Sequence, residues 1–534
     1  MNIAMDSFYR PLCPKLMRKD PPTQIPPASL NGAYPTTRRA HSRRRRLRIL
    51  LVTPEISESS FLASHGKQAP CVKAGGLADV SALLLDSLSE AGADVHVALP
   101  HFRSLFEPGP NGHSRRLHLC KDREFYYRKS VYDGCSKSNL RAALAFQRDV
   151  IHYVMPRIRP DIVHCHDWMT GLVPAAARSV GIPSIFTMHN LHDETTTLAE
   201  IEDRGIDSAM FWNHLYFNHY PQSYEETRSH NAASMLGSGI LAADRINTVS
   251  PSFLTELAVG GHNAPWQVAD AVRGKIDAGH ATGILNSLPD TRSPRHDRFI
   301  CRQYDAASHV EAKRENKTEL QRMLGFDENP DAPVFFWPSR LDPCQKGCQL
   351  LAEILQQVVA DYWETGLQVV FVADGPFTKH FDNIICMAGL QKRIAIRKFH
   401  EPFSCLGYAA SDFVLMPSAF EPCGLAQMIG LRYGSLPIAH RTGGLRDTIT
   451  HLDADRETGN GFLFEVYNSE GLRWAIDRAM DFHKLPEEMK FSNRFRIMNE
   501  TNQAFSPRKM ISEYLDIYRD LVPSMHDAQI LRAS

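Results

Sequence analysis

Two short runs in the second half of this chain carry the residue types for handling a sugar joined to a phosphate. In Ser418-Ala-Phe-Glu-Pro-Cys-Gly-Leu425 a carboxylate, Glu421, stands on a strand-to-helix turn. In Arg441-Thr-Gly-Gly-Leu-Arg446 a hydroxyl residue and two glycines, Thr442, Gly443 and Gly444, open another helix. A carboxylate accepts hydrogen bonds from sugar hydroxyls. Uncapped helix N-termini offer backbone N–H groups and a favourable dipole to a diphosphate. A second glycine turn, Lys73-Ala-Gly-Gly-Leu-Ala-Asp79, lies in the first half, with Gly75 and Gly76 between a lysine and an aspartate. Lys73 suits a phosphate as a point charge, and Asp79 suits sugar hydroxyls. Glycine turns in both halves suggest a cleft between two lobes.

Further residues cluster where predicted strands end. Arg340, in Ser339-Arg-Leu341, and Lys346, before Gly347, add two cations for a departing diphosphate. His164-Cys-His-Asp-Trp168 and Met188-His-Asn-Leu191 each follow a strand. They offer Asp167, Trp168, His189 and Asn190 to a cleft. His164 and His166 share a strand face and would suit a metal pair, but no third ligand follows. Asp453-Ala-Asp455 falls in a polar loop. Cations are the better match to the leaving charge, and no metal is expected. Asn286 after Gly283-Ile-Leu, and Phe399 before a helix, are additional contacts. Phe399 would serve as a stacking surface or as core.

The elements that must position these groups alternate. Apolar runs at 47–53, 94–99, 161–164, 184–188 and 245–249 read as buried parallel strands, separated by helices near 76–90, 139–155, from Thr170 and at 232–242. The pattern restarts with strands at 334–337, 367–372, 394–397, 413–416, 436–439 and 461–464. The polar stretch 289–331 reads as linker. A last helix near 507–521 is placed to cross back to the first half. The fold class is α/β: two doubly wound domains facing each other across a cleft.

Composition narrows the function classes. With 534 residues, 43% hydrophobic and 22% charged, the chain can bury more than one core, and no apolar run approaches a membrane span. Net charge is zero but uneven. Residues 1–47 hold ten Lys/Arg and two Asp, and the remainder is correspondingly acidic. The basic, proline-containing segment 1–46 reads as a disordered tail, with a transit peptide as the alternative. No aromatic residues interleave its arginines as a nucleic-acid arm would require. Eleven cysteines without zinc-like spacing read as reduced thiols of a cytoplasmic protein.

In this order the motifs resemble the bacterial glycogen synthase and plant starch synthase family, retaining glucosyltransferases of the GT-B fold. The resemblance runs from about Leu47 to Leu521. It rests on Lys73–Val80, His166-Asp-Trp168, Thr187–Asn190, Thr248-Val-Ser-Pro251, Gly283–Asn286, Ser339-Arg-Leu341 with Gln345-Lys-Gly347, Phe420–Leu425 and Arg441–Leu445. It implies transfer of glucose from ADP-glucose to the non-reducing 4-OH of an α-1,4-glucan. Residues 47–290 would form the acceptor-side domain, 291–505 the nucleotide-sugar domain, and 506–534 the crossing helix.

By the same resemblance Lys73, Arg340 and Lys346 neutralise the diphosphate and Thr442, Gly443 and Gly444 bind it through their amides. Glu421, Asp79 and Asn190 hold glucose, and His189 lies beneath the anomeric carbon. Asn286, Phe399, Cys423, Gly424 and Leu425 complete the donor side, with Gly75 and Gly76 at its edge. Asp167 and Trp168 shape the acceptor side. The chain departs from the family in the longer Arg340–Lys346 spacing, Phe399 in place of tyrosine, a long Ile56–Val72 and a short His101–Arg159. Ile429 replaces a second glutamate of the wider GT-B motif, as elsewhere in the family. The resemblance leaves open a homo-oligomer, a UDP-glucose donor and a silent glucan-binding scaffold.

Overall fold

The computed structural model describes residues 46–63, 71–103 and 115–523. They belong to one compact unit beginning at Arg46. The expected tail, and parts of two of the length departures (64–70 and 104–114), lie outside the described residues.

The first sheet begins with β1 (Arg48–Val52), β2 (Asp94–Pro100), β3 (Leu117–Cys120), β4 (Ile162–His166) and β5 (Ser184–Met188). A small antiparallel sheet follows, of β6 (Thr195–Thr196), β7 (Tyr216–Phe217) and β8 (Ala233–Ser234). Then β9 (Arg245–Thr248) and β10 (Ala281–Gly283) complete the first sheet, ordered β10-β9-β5-β4-β1-β2-β3 with every pairing parallel. The second sheet holds β11 (Val334–Trp337), β12 (Gln368–Val372), β13 (Ile394–Arg397), β14 (Phe413–Met416), β15 (Leu436–His440) and β16 (Phe462–Phe464). It too is wholly parallel, ordered β13-β12-β11-β14-β15-β16. Strands such as Phe413-Val-Leu-Met416 are apolar throughout because helices cover both faces. The fold is the expected pair of doubly wound α/β domains.

Two differences from the sequence reading have physical causes. The stretch read as linker, 289–331, contains a sixteen-residue helix, His309–Leu324. Its inward face carries Lys313, Asn316, Lys317 and Gln321 at helical spacing, all buried. Only Ala312, Leu320 and Leu324 of its buried face are apolar, too sparse a period to read as a helix. The helix expected at 139–155 begins at Ser136 and passes through a π-helical turn, Val150–Val154, before ending at Ile158.

The final helix, Pro507–Leu521, returns to the first sheet. Met510, Ile511, Tyr514, Leu515 and Tyr518 join Ile49, Leu51, Leu85 and Val95 in one apolar cluster. Its hydroxyls are also used. Tyr518 bonds His164 Nδ1 at 2.7 Å, and Asn247 Nδ2 donates to the Tyr514 oxygen at 3.0 Å.

Candidate active site

Glu421 lies on the turn between β14 and the helix Ala426–Arg432 and is buried. Its Oε2 accepts from Lys346 Nζ at 2.5 Å and from Ser418 Oγ at 3.2 Å. Lys346 reaches it because Gly347, at φ +69°, opens the helix Cys348–Asp361 hard against this turn. A Cβ there would lie 1.9 Å from the carbonyl oxygen of Pro417, so only glycine permits the approach. An ion pair this buried is sustained only by good geometry, since desolvation opposes it. Arg340 is exposed and makes no ion pair among the described residues.

The glycine pair does a different job from the one expected. A Cβ on Gly443 would meet the Glu421 carbonyl at 2.2 Å, and one on Gly444 would meet the Cys423 backbone at 2.3 Å. The glycines therefore press the helix Gly443–Thr448 onto the Glu421–Cys423 turn. The expected free amides are correspondingly engaged. Thr442 N–H donates to His440 O at 3.0 Å and Gly444 N–H to Glu421 O at 2.9 Å. Gly443 N–H alone meets an anion, the carboxylate of Glu256, at 3.0 Å from each oxygen.

Glu256 belongs to the first lobe, on the helix Pro251–Ala258. Asp447, on the helix that Gly443 opens, returns the contact by accepting from Ser250 Oγ at 2.7 Å and Ser252 N–H at 2.9 Å. Each helix thus has its start capped by the other's carboxylate, and this pairing joins the lobes. The remaining Glu256 contact is His262 Nε2 at 2.5 Å.

On the first lobe, buried Glu55 holds the other glycine turn. Its Oε2 accepts from Ala74 N–H at 2.5 Å and Gly75 N–H at 3.0 Å, and burial raises its pKa. Lys73 is paired with Asp79 at 2.7 Å, so both expected donor contacts neutralise each other here. Gly76 opens the helix Gly76–Glu90, and a Cβ on it would lie 3.3 Å from Leu425 of the second lobe. The two glycine-bearing turns therefore face each other. Asn286 is buried, and its Oδ1 has no hydrogen-bond partner among the described residues. Gly424, at φ +75°, turns the chain between Cys423 and Leu425. Phe399 is 56% exposed, which makes it a surface rather than core aromatic.

The strand ends of the first sheet revise the expected acceptor side. Trp168, expected on the acceptor side, is buried in the apolar cluster of the first lobe. Asp167 is also buried, at φ +58°, a conformation costly for a non-glycine residue. Its oxygens are taken by His189 N–H at 2.7 Å and Asn190 Nδ2 at 2.8 Å. It orients the His189–Asn190 turn. Burial lifts its carboxyl to about 7. His189 Nε2 lies 3.0 Å from His166 Nδ1, and burial, then this neighbour, pushes the His189 pKa well down. His164, also pushed down by burial, is bound to Tyr518 and Thr187. The histidines are thus held by side-chain partners. Among the described residues no three His, Cys, Asp or Glu are grouped to hold a metal ion.

Sequence reasoning missed Glu55, Glu256 and Asp447. All three act on backbone amides or hydroxyls far away in the chain. Only Glu55, directly after Thr53-Pro54 at the end of β1, carried a local signal.

Residues 48–262 match the family described as starch synthase catalytic domain, and residues 332–481 match glycosyl transferases group 1. The chain is 30% identical over 495 residues to the glycogen synthase of Bacillus subtilis (strain 168), covering 86% of this chain and 97% of the relative. It is 31% identical over 506 residues to that of Exiguobacterium sibiricum, covering 85% and 97%. Among solved structures, the catalytic domain of starch synthase IV from Arabidopsis thaliana, bound to ADP and acarbose, superposes with a TM-score of 0.74 at 25% identity. It covers 90% of this chain and 100% of that one. With its paired doubly wound sheets, facing glycine turns and full-length likeness to these enzymes, the chain belongs to the glycogen and starch synthase family of GT-B glucosyltransferases.

Proposed function

We propose that the protein transfers glucose from ADP-glucose to the non-reducing 4-OH of an α-1,4-glucan with retention of configuration, acting in the cytoplasm. The observation that carries this reading is the buried Lys346–Glu421 pair, set on the turn that faces Gly76 across the lobes. Glu421 holds glucose hydroxyls while Lys346, beside it, meets the diphosphate. A single ammonium placed between carboxylate and phosphate stabilises the charge that develops as the glycosidic C–O bond breaks. Arg340, exposed at the end of β11, and Lys73 add cations once the donor has drawn Lys73 away from Asp79. Asp79, Asn190 and the His189 backbone, held by Asp167, line the glucose. Asn286, Cys423, Gly424 and Leu425 support the donor turn, and Phe399 offers a face to the base.

Retention follows a front-face path. A departing phosphate oxygen takes the acceptor 4-OH proton as the acceptor oxygen bonds the anomeric carbon. Asp167, the buried carboxylate beneath His189, has both oxygens committed to its own chain and is unsuited to attack. Displacing Glu256 from Gly443 frees an amide for the donor, which couples donor binding to movement of the lobes.

Glucose incorporation into a glycogen primer, from ADP-glucose and UDP-glucose with EDTA present, tests the proposal. Incorporation from ADP-glucose is expected. Transfer only from UDP-glucose would overturn the donor, and binding of glucan without release of ADP would leave a silent scaffold.

A further inference from the structure

A cavity of about 240 Å³ lies at the amino ends of β11 and β14, the opposite edge of the second sheet from Glu421. It sits between the helices His309–Leu324 and Glu487–Ala504, and its walls are charged in an unbalanced way. Asp412 is the one carboxylate at its floor. It accepts from Lys317 Nζ at 2.6 Å, Arg494 at 3.2 Å and the Val334 amide at 3.0 Å. Lys313, 5% exposed, has no carboxylate partner. Its ammonium bonds the carbonyls of Ala409 and Tyr433 at 3.0 Å and Tyr408 at 3.4 Å. Lys490, itself buried, is paired with Glu487 and donates to the His483 carbonyl at 3.1 Å, and at the rim Arg314 is paired with Asp331.

Four buried cations, Lys313, Lys317, Lys490 and Arg494, therefore line a cavity with one buried carboxylate. Uncompensated buried charge is costly, and the usual remedy is a counter-ion. A second observation points the same way. Arg494, 9% exposed and lining the cavity, has a buried Nε–H with no hydrogen-bond partner. Its guanidinium lies over the Phe482 ring at 5.7 Å and binds Asp412 through a terminal nitrogen, and such a planar fork is the geometry with which arginine binds oxyanions. Burial, then Arg494, pulls the Lys313 pKa well down, as expected of an ammonium short of negative charge.

We propose that this cavity is a binding site for a small phosphate dianion, free or as a phosphomonoester, held by Arg494 and Lys490 beside Lys313 and separate from the catalytic cleft.

Thermal unfolding of the full chain tests it, comparing inorganic phosphate, glucose 1-phosphate and chloride at matched ionic strength. Phosphate at millimolar concentration is expected to raise Tm by about 2–4 °C over chloride. The rise should shrink by at least half in Lys490→Gln, which removes one wall ammonium, and in Arg494→Lys, which keeps the charge but removes the planar guanidinium. It should persist in Lys346→Ala. Equal effects of the two anions would identify phosphate itself as the ligand, and an effect of the ester alone would identify a phosphomonoester. A rise retained in full by both cavity variants would be general salting and would overturn the proposal. So would a rise lost in Lys346→Ala, which would place the anion in the catalytic cleft, or no rise over chloride.

Discussion

The carboxylate of Glu256 lies 3.0 Å from the amide of Gly443, a first-lobe anion seated on a second-lobe N–H. Under the proposed function a donor diphosphate competes for that amide. Glu256→Ala is therefore expected to lower the KM for ADP-glucose several-fold, with a smaller effect on the KM for glucan. Initial-rate kinetics with each substrate varied would check this. An unchanged or higher donor KM would mean that the diphosphate does not meet Gly443.

Glu421→Ala should lower turnover by roughly 10²–10³-fold, the scale of losing one group that stabilises developing charge or holds the reacting sugar. Circular dichroism should be unchanged. Near-normal kcat in a folded variant would remove Glu421 from the site.

Lys346→Ala leaves Glu421 buried without its cation, which should cost about 3–5 kcal/mol of stability. Adding Glu421→Gln removes the stranded charge and should restore part of that loss. Urea unfolding of the two single variants and the double variant measures the coupling, and additive losses would contradict a direct pair.

Gly347→Ala forces a Cβ into the Pro417 carbonyl at a positive φ. A loss of about 2 kcal/mol or more is expected, together with a higher donor KM as Lys346 shifts. A stable variant with wild-type kinetics would show that the turn tolerates the movement.

Asp167 gives a pH signature. Its carboxyl holds its proton up to about 7 in the folded protein, against an ordinary value of 3.8. Between those values the unfolded chain binds fewer protons at this residue. The stability that Asp167 contributes is complete below pH 3.8 and is lost as pH rises through 7. Asp167→Asn cannot ionise, so its Tm relative to wild type should climb from pH 5 to pH 8. Parallel profiles would rule out Asp167 as the source of that pH dependence.

Both sheets were legible because their strands are apolar on two faces, as in Val334-Phe-Phe-Trp337, and bounded by turn residues. The helix His309–Leu324 was not, since its buried face is largely polar and its partners are backbone carbonyls and Asp412. At the site, the Glu421 turn and the glycine pairs announced themselves by residue type. What the glycines touch did not. The close approach of Gly443 and Gly444 to the Glu421–Cys423 backbone needs the second lobe folded, and Glu256 on Gly443 needs both lobes together. The burial of Trp168 was illegible for a related reason, since an aromatic beside a polar strand end reads alike whether it faces a cleft or the core.

The returning helix Pro507–Leu521 sets an order of assembly. The first sheet emerges from a ribosome before the second, yet the side chains that cover Ile49, Leu51 and Leu85, and a hydroxyl that meets His164, are made only after the second lobe. Until synthesis reaches Tyr518, the earlier lobe exposes an apolar face and His164 keeps only its Thr187 partner while the second lobe is still being made. A nascent chain of this protein therefore has a long interval in which its oldest domain is its least finished, and the stretch most in need of a chaperone lies at the beginning of the chain.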